Sequence, residues 1–241
     1  MSIRLLPQLF LGAMSLLALN EVAAAQEQPA AASPVVVELF QSQGCSSCPP
    51  AEANLNAIAG QPGILALSFA VTYWDQLGWK DTFATQAYTD RQWAFAHHHQ
   101  RDSVWTPQVY VNGDVDLVGT DRTQLDHAIA RATAAAEKGP SLRWQPGKLV
   151  VGAGPAHQPC DVWLVRYDPR TLNVAIGAGE NGGRTLPHRN VVRELVNLGR
   201  WDGSSHTYLV PAPTRAGLAT AALVQVAAGG PIIEAATSPL D

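Results

Sequence analysis

The sequence predicts an α/β domain in the order β-α-β-α-β-β-α over residues 35–139, followed by an all-β, sandwich-like domain over residues 141–241. Three observations carry this. The apolar, β-branched run Val35-Val36-Val37-Glu38-Leu39-Phe40 leads through Gly44-Cys45-Ser46-Ser47-Cys48-Pro49-Pro50 into residues with helical spacing. Asn112-Gly113 stands between two strand-like runs, a strong short-range hairpin signal. Beyond Ser141 the pattern changes to short strand-like runs separated by glycine, proline and aspartate turns.

Composition bounds the rest. The 241 residues hold enough apolar content for one large or two modest cores, and the formal charge is only −4. No basic tract points to nucleic acid or to an anionic membrane surface. Residues 1–25 read as a secretory signal: Arg4 supplies the positive region, residues 5–19 are largely apolar, and Ala23-Ala24-Ala25 offers a cleavage site before Gln26. The apolar run is shorter than the roughly 20 residues a membrane span requires, and Asn20-Glu21 closes it. The expected product is periplasmic or secreted, with no membrane span after cleavage. Residues 26–34, rich in alanine, glutamine and proline, read as a leader.

Taken in order, residues 35–40 predict a buried strand. Ala51, Leu55, Ile58 and Ala59 place an apolar stripe on the following helix. Gln61-Pro62-Gly63 punctuates, and residues 64–71 read as a second buried strand. Residues 73–81 form an aromatic loop, and residues 85–100 a helix. Thr106-Pro107 precedes a strand ending at Val111; the return strand spans residues 115–118. Asp121 and Gln124 mark a capped helix start, Leu125, Ala128, Ile129 and Ala132 give the stripe, and Gly139-Pro140 ends it. The second half offers strands at residues 149–151, 162–167, 172–176, 208–210, 222–226 and 232–233. Residues 188–195 read as a strand with one charged face or a short helix. Either presents Arg189 and Arg193 to an acidic partner or, more simply, to salt bridges within the domain.

A Cys-x-x-Cys between a strand and a helix is the context of a redox pair. Zinc usually takes four ligands from two such pairs, and the chain has no second pair. Exchange needs a reactive thiolate and a second sulfur to resolve the mixed disulfide. Two prolines sit best in a first helical turn, so the helix is expected to begin near Pro49 with Cys45 in the loop before it. That placement weakens activation by the helix N-terminus, and Ser46-Ser47 adds no positive charge. Export places the pair in an oxidising compartment. Cys160, the odd cysteine, is expected to be a buried, inert thiol.

Trp74 and Trp79 in the aromatic loop, with Trp105 beside Thr106-Pro107, are candidates for an apolar substrate platform; core packing accounts for Trp93. His97-His98-His99 invites a metal reading, but consecutive helical residues point about 100° apart and do not converge on one ion. Copper could recruit one of them together with Cys45 and Cys48. A polar helix end, where histidine favours the negative dipole pole, is the plainer reading.

The element order and the cysteine motif resemble the thioredoxin fold. Thr106-Pro107 stands where that fold carries a cis-proline, and Thr-Pro-Gln-Val-Tyr-Val-Asn-Gly is similar to the glutaredoxin branch. The resemblance implies that Cys45 attacks, that Cys48 resolves, and that Thr106 and Pro107 meet an extended substrate. Thioredoxins place a buried carboxylate near the resolving cysteine to assist proton transfer, which makes Glu38 an auxiliary candidate. Its offset from Cys45 differs by one, however, and strand alternation then turns the side chain to the other face, as for a salt-bridged glutamate.

More narrowly, Val-Glu-Leu-Phe-x-Ser-Gln-Gly-Cys-Ser-Ser-Cys-Pro-Pro-Ala, Tyr-Trp-Asp-x-Leu-Gly-Trp, Gly-Glu-Asn-Gly-Gly-Arg and His-Arg-Asn-Val-Val-Arg-Glu-Leu resemble a family of uncharacterised exported thioredoxin-like proteins, domain of unknown function 1223. The expectation is an exported thiol–disulfide oxidoreductase acting on protein thiols and disulfides, with an unidentified redox partner and no cofactor. Its rivals are a copper-binding, metallochaperone-like protein and a non-catalytic binding module.

Overall fold

The computed structural model describes residue 1, residues 33–136 and residues 139–239, so the expected signal and nearly all of the leader lie outside the described residues. Strand β1 (Val35–Gln41) is buried along its whole length, as a continuous apolar run demands. It pairs in parallel with β2 (Ile64–Ala70) and antiparallel with β3 (Gln108–Val111). Asn112 and Gly113, both at positive φ, turn β3 back into β4 (Val115–Leu117). Helices α1 (Pro49–Ile58) and α3 (Arg122–Ala134) cover one face, packing Leu55, Ile58, Leu125 and Ile129 on Val35, Val37 and Leu39. The expected cap on α3 forms: the Asp121 carboxylate accepts the N–H groups of Thr123 and Gln124. Helix α2 (Gln86–His98) covers the other face, where Tyr88 and Phe95 meet Val36, Phe40 and Phe69.

The second half departs from expectation. It contains β5 (Leu142–Gln145), β6 (Lys148–Val151), β7 (Cys160–Asp168), β8 (Leu172–Ala175), β9 (Thr185–His188), β10 (Val191–Trp201), β11 (His206–Leu209), β12 (Ala219–Val226) and β13 (Ile232–Thr237). A sandwich separate from the first half does not form. Four of these strands extend the first half's sheet, in the order β13-β12-β7-β10-β2-β1-β3-β4. The junction is β10 beside β2, where Asn190 gives its main-chain oxygen to the Ser68 N–H and its side-chain amide to the Ala66 oxygen. The physical reason is visible in β7. Its run from Leu164 to Asp168 is buried at every position, as in a strand covered on both faces and not one alternating towards solvent. A two-layer β core does exist, because the β11-β6-β5 sheet packs Leu149, Val151 and Tyr208 against Val162, Trp201 and Val224.

Glu38 and Arg91 tie these parts together. The buried Arg91 guanidinium grips the Glu38 carboxylate at 2.8 and 3.0 Å and donates to Gln225 of β12 at 3.1 Å. It lies over the rings of Phe69, Phe95 and Trp163. One cation thus links β1, α2, β7 and β12. No helix among the described residues is long and apolar enough to cross a membrane.

Candidate active site around Cys45 and Cys48

Strand β1 ends at Gln41 and the chain tightens at once. The Cys45 N–H donates to the Ser42 oxygen at 3.1 Å, and the Cys48 N–H to the Cys45 oxygen at 3.2 Å. This turn brings the two Cα atoms to 5.4 Å, and the cysteines are joined as a disulfide. Cys48 is the N-cap residue of α1, and Pro49-Pro50 occupy the first two helical positions. The helix therefore starts where the prolines require, leaving Ala51 as its first residue with an N–H to offer. Cys45 stays in the loop. It is completely buried and Cys48 nearly so, while Ser46 and Ser47 between them are exposed.

Groups from far along the chain hold this turn. The loop between β8 and β9 folds over the turn. Glu180 accepts the Ser46 N–H at 2.9 Å, a bond that holds its carboxyl below the usual range. The Asn181 side-chain amide donates to the main-chain oxygens of Gln43 and Cys45, at 2.9 and 2.8 Å, and Arg184 steadies Asn181 by donating to its side-chain oxygen at 2.6 Å. Packing against the aromatic loop is tight here. Trp79 lies so close that a Cβ on Gly177 or Gly179 would come within 3.1 Å of it, and Gly179 sits at φ 73°.

The aromatic loop completes the wall. Trp79 donates from its indole to the Gln43 side-chain oxygen at 2.9 Å, and Trp74 to the Thr106 hydroxyl at 2.7 Å. The Thr106–Pro107 peptide is cis, and the Thr106 oxygen lies 3.5 Å from the Ser47 hydroxyl. Asp81 anchors the base of the turn by accepting the N–H groups of Gln43 and Phe83, at 2.7 and 2.8 Å. Burial pushes its carboxyl above the ordinary aspartate range, against the opposing pull of those bonds and of His188.

Cys45, Cys48, Trp74, Trp79, Thr106 and Pro107 therefore belong to one connected wall. Glu38 does not: its carboxylate faces α2 in the grip of Arg91, so strand alternation overrides the auxiliary role and the salt-bridged reading is the one realised. Trp93 stacks at a tilt on His97, and Trp105 lies beneath Arg101. His99 approaches the Gly113 oxygen at 3.0 Å and stacks on Tyr110, while His97 and His98 are exposed. Among the described residues no cluster of three or more His, Cys, Asp or Glu side chains is placed to hold a metal ion. Residues 191–195 are strand, and Arg193 lies over the Phe83 ring. Cys160 is free and buried, its thiol pushed up by burial and by Asp161.

Sequence reasoning missed a group on the other side of Cys48. A cavity of about 190 Å³ is lined by Cys48, Gln41, Glu52, Arg184 and His188, among others. Glu52 and His188 are both buried; the His188 Nδ1 lies 3.4 Å from Glu52 Oε1, and Glu52 Oε2 accepts the Ser68 hydroxyl at 3.2 Å. One signal pointed to Glu52. It precedes Leu55 by three residues and so borders the apolar stripe of α1. Nothing local marks His188.

A family model described as "Protein of unknown function (DUF1223)" matches residues 36–226. A crystallised protein from Agrobacterium tumefaciens is similar over 84% of this chain and 92% of its own, at 31% identity and a TM-score of 0.69. The HBP35 protein of Porphyromonas gingivalis is similar over 87% of this chain and 76% of its own, with a TM-score of 0.59. At 13% identity that is a likeness of fold alone. A comparison with curated proteins finds no match.

Proposed function

The chain belongs to the DUF1223 family, proteins of unknown function, and from that footing we propose that it is an exported thiol–disulfide oxidoreductase on a thioredoxin-like first half. The observation that carries the reading is the Cys45–Cys48 disulfide at the β1-to-α1 turn, walled by the cis Thr106–Pro107 peptide. In oxidising a substrate dithiol, one substrate thiolate attacks Cys45 to form a mixed disulfide while the Cys45–Cys48 bond breaks and Cys48 leaves as a thiolate that takes up a proton. The second substrate thiolate then displaces Cys45, giving the substrate disulfide and the reduced pair. In reducing a substrate disulfide the steps reverse. The substrates are protein thiols and disulfides of the exported compartment, a location supported by the signal-like pattern of residues 1–25. Access to Cys45 requires the loop of residues 176–184 to move aside, since Glu180 and Asn181 hold it closed.

That same burial favours a second reading, a binding module whose disulfide stays shut. The reduction potential of the pair, equilibrated in glutathione buffers, separates the two. Exchange predicts a value between about −120 and −270 mV, the range of known oxidoreductases, whereas a value well below about −300 mV marks a structural disulfide and overturns the proposal.

A further inference from the structure

We propose that Glu52 and His188 act as an acid–base pair that moves the proton of Cys48 during exchange, so that the second half of the chain supplies part of the redox chemistry. This rests on the exchange reading above. Three observations converge on it. The two side chains and Cys48 line one cavity. Glu52 follows Cys48 by four residues, on the same face of α1, and His188, the last residue of β9, lines the same cavity. Both ring nitrogens of His188, Glu52 Oε1 and Gln41 Nε2 are buried with no hydrogen-bond partner among the described residues.

Buried polar atoms are satisfied in the great majority of cases, and exceptions call for an explanation. A pair retained only to hold β9 against α1 would close a good hydrogen bond and engage the second nitrogen. At 3.4 Å the contact is an ion-pair distance, and Nε2 is left facing no protein acceptor. A volume of about 190 Å³ exceeds the roughly 10–15 Å³ that one water needs, and the cavity walls carry the two to four polar partners a water requires. A water held there would connect the pair to Cys48.

The chemical need is plain. Cys48 is buried, almost out of contact with bulk water that could take its proton. In resolving a mixed disulfide on Cys45, the Cys48 S–H bond must break and its proton must go to a base. The Cys48 sulfur then bonds to the Cys45 sulfur, and the departing thiolate takes up a proton. The pair accepts the first proton and returns the second, with no other co-reactant. Other charges face it from each packed element: Arg184 at the cavity mouth, Asp81 within electrostatic reach of His188, and Arg193 behind the Phe83 ring that meets His188 edge-on.

The test uses the reduced protein in a Cys160→Ala background and the aromatic disulfide 5,5′-dithiobis(2-nitrobenzoate). The first thiolate released reports attack by Cys45; the second reports resolution by Cys48. Glu52→Gln and His188→Asn should leave the first release unchanged and slow the second by on the order of 100-fold near neutral pH, with Glu52→Asp restoring much of it. Their second-step pH profiles should also collapse onto the simple ionisation of a thiol. Equal second releases in all proteins overturn the proposal. So does a parallel slowing of both steps, which marks a purely structural pair. If the wild-type protein never gives the second release, the exchange reading itself fails.

Discussion

Asn181 donates its side-chain amide to the main-chain oxygen of Cys45 at 2.8 Å, across a separation of 136 residues. The cysteine turn is therefore held by a loop far along the chain. Asn181 is completely buried, and its second bond, to the Gln43 oxygen, places it across the turn like a bolt.

Asn181→Ala is expected to destabilise the protein by about 1–3 kcal/mol, because two buried carbonyls lose their donor. Reduction of the Cys45–Cys48 bond by a small phosphine should become faster at the same time. Urea unfolding and reduction kinetics measure the two effects. An unchanged reduction rate would show that the loop does not control access.

Glu38→Gln should separate stability from chemistry. The substitution leaves the buried Arg91 cation without its counter-charge, a loss of about 3–5 kcal/mol for a broken buried pair. The reduction potential of the cysteine pair should stay where it is in wild type. A shifted potential with unchanged stability would instead return Glu38 to the site.

Asp81 sets a pH dependence whose sign follows from its burial. Its folded-state carboxyl binds a proton more readily than in the unfolded chain. Stability contributed by the protonated form is therefore lost as pH rises from the ordinary aspartate range through its raised folded value. Asp81→Asn cannot titrate. The difference in unfolding free energy between wild type and variant, followed by urea unfolding from about pH 4 to 7, should move against wild type as pH rises. A flat difference refutes this.

Cys160 should be silent in the native protein. Its thiol is buried in the core with Trp201 and pushed above the usual cysteine range. Alkylation at mildly alkaline pH is expected to be at least about tenfold slower than in urea. Cys160→Ala should leave the potential of the other two cysteines unchanged. Rapid native alkylation mapped to Cys160 would contradict its placement.

Much of the first half was legible because local rules govern it. A continuous apolar run makes β1, Pro49-Pro50 sit best in a first helical turn, and Asn112-Gly113 turns a hairpin. Even the orientation of Glu38 follows from counting residues along a strand. The sequence by itself thus determined the strand–turn–helix that presents Cys45 and Cys48, whereas the cis Thr106–Pro107 segment beside it was expected only from the resemblance to the thioredoxin fold. Only the tertiary structure decided which groups surround them. The second half joins the first half's sheet through Asn190, and Glu180, Asn181 and His188 reach the cysteine turn from β8–β9. Those contacts depend on strand pairing between segments more than a hundred residues apart, and such pairing leaves no periodicity in either segment from which it could be read.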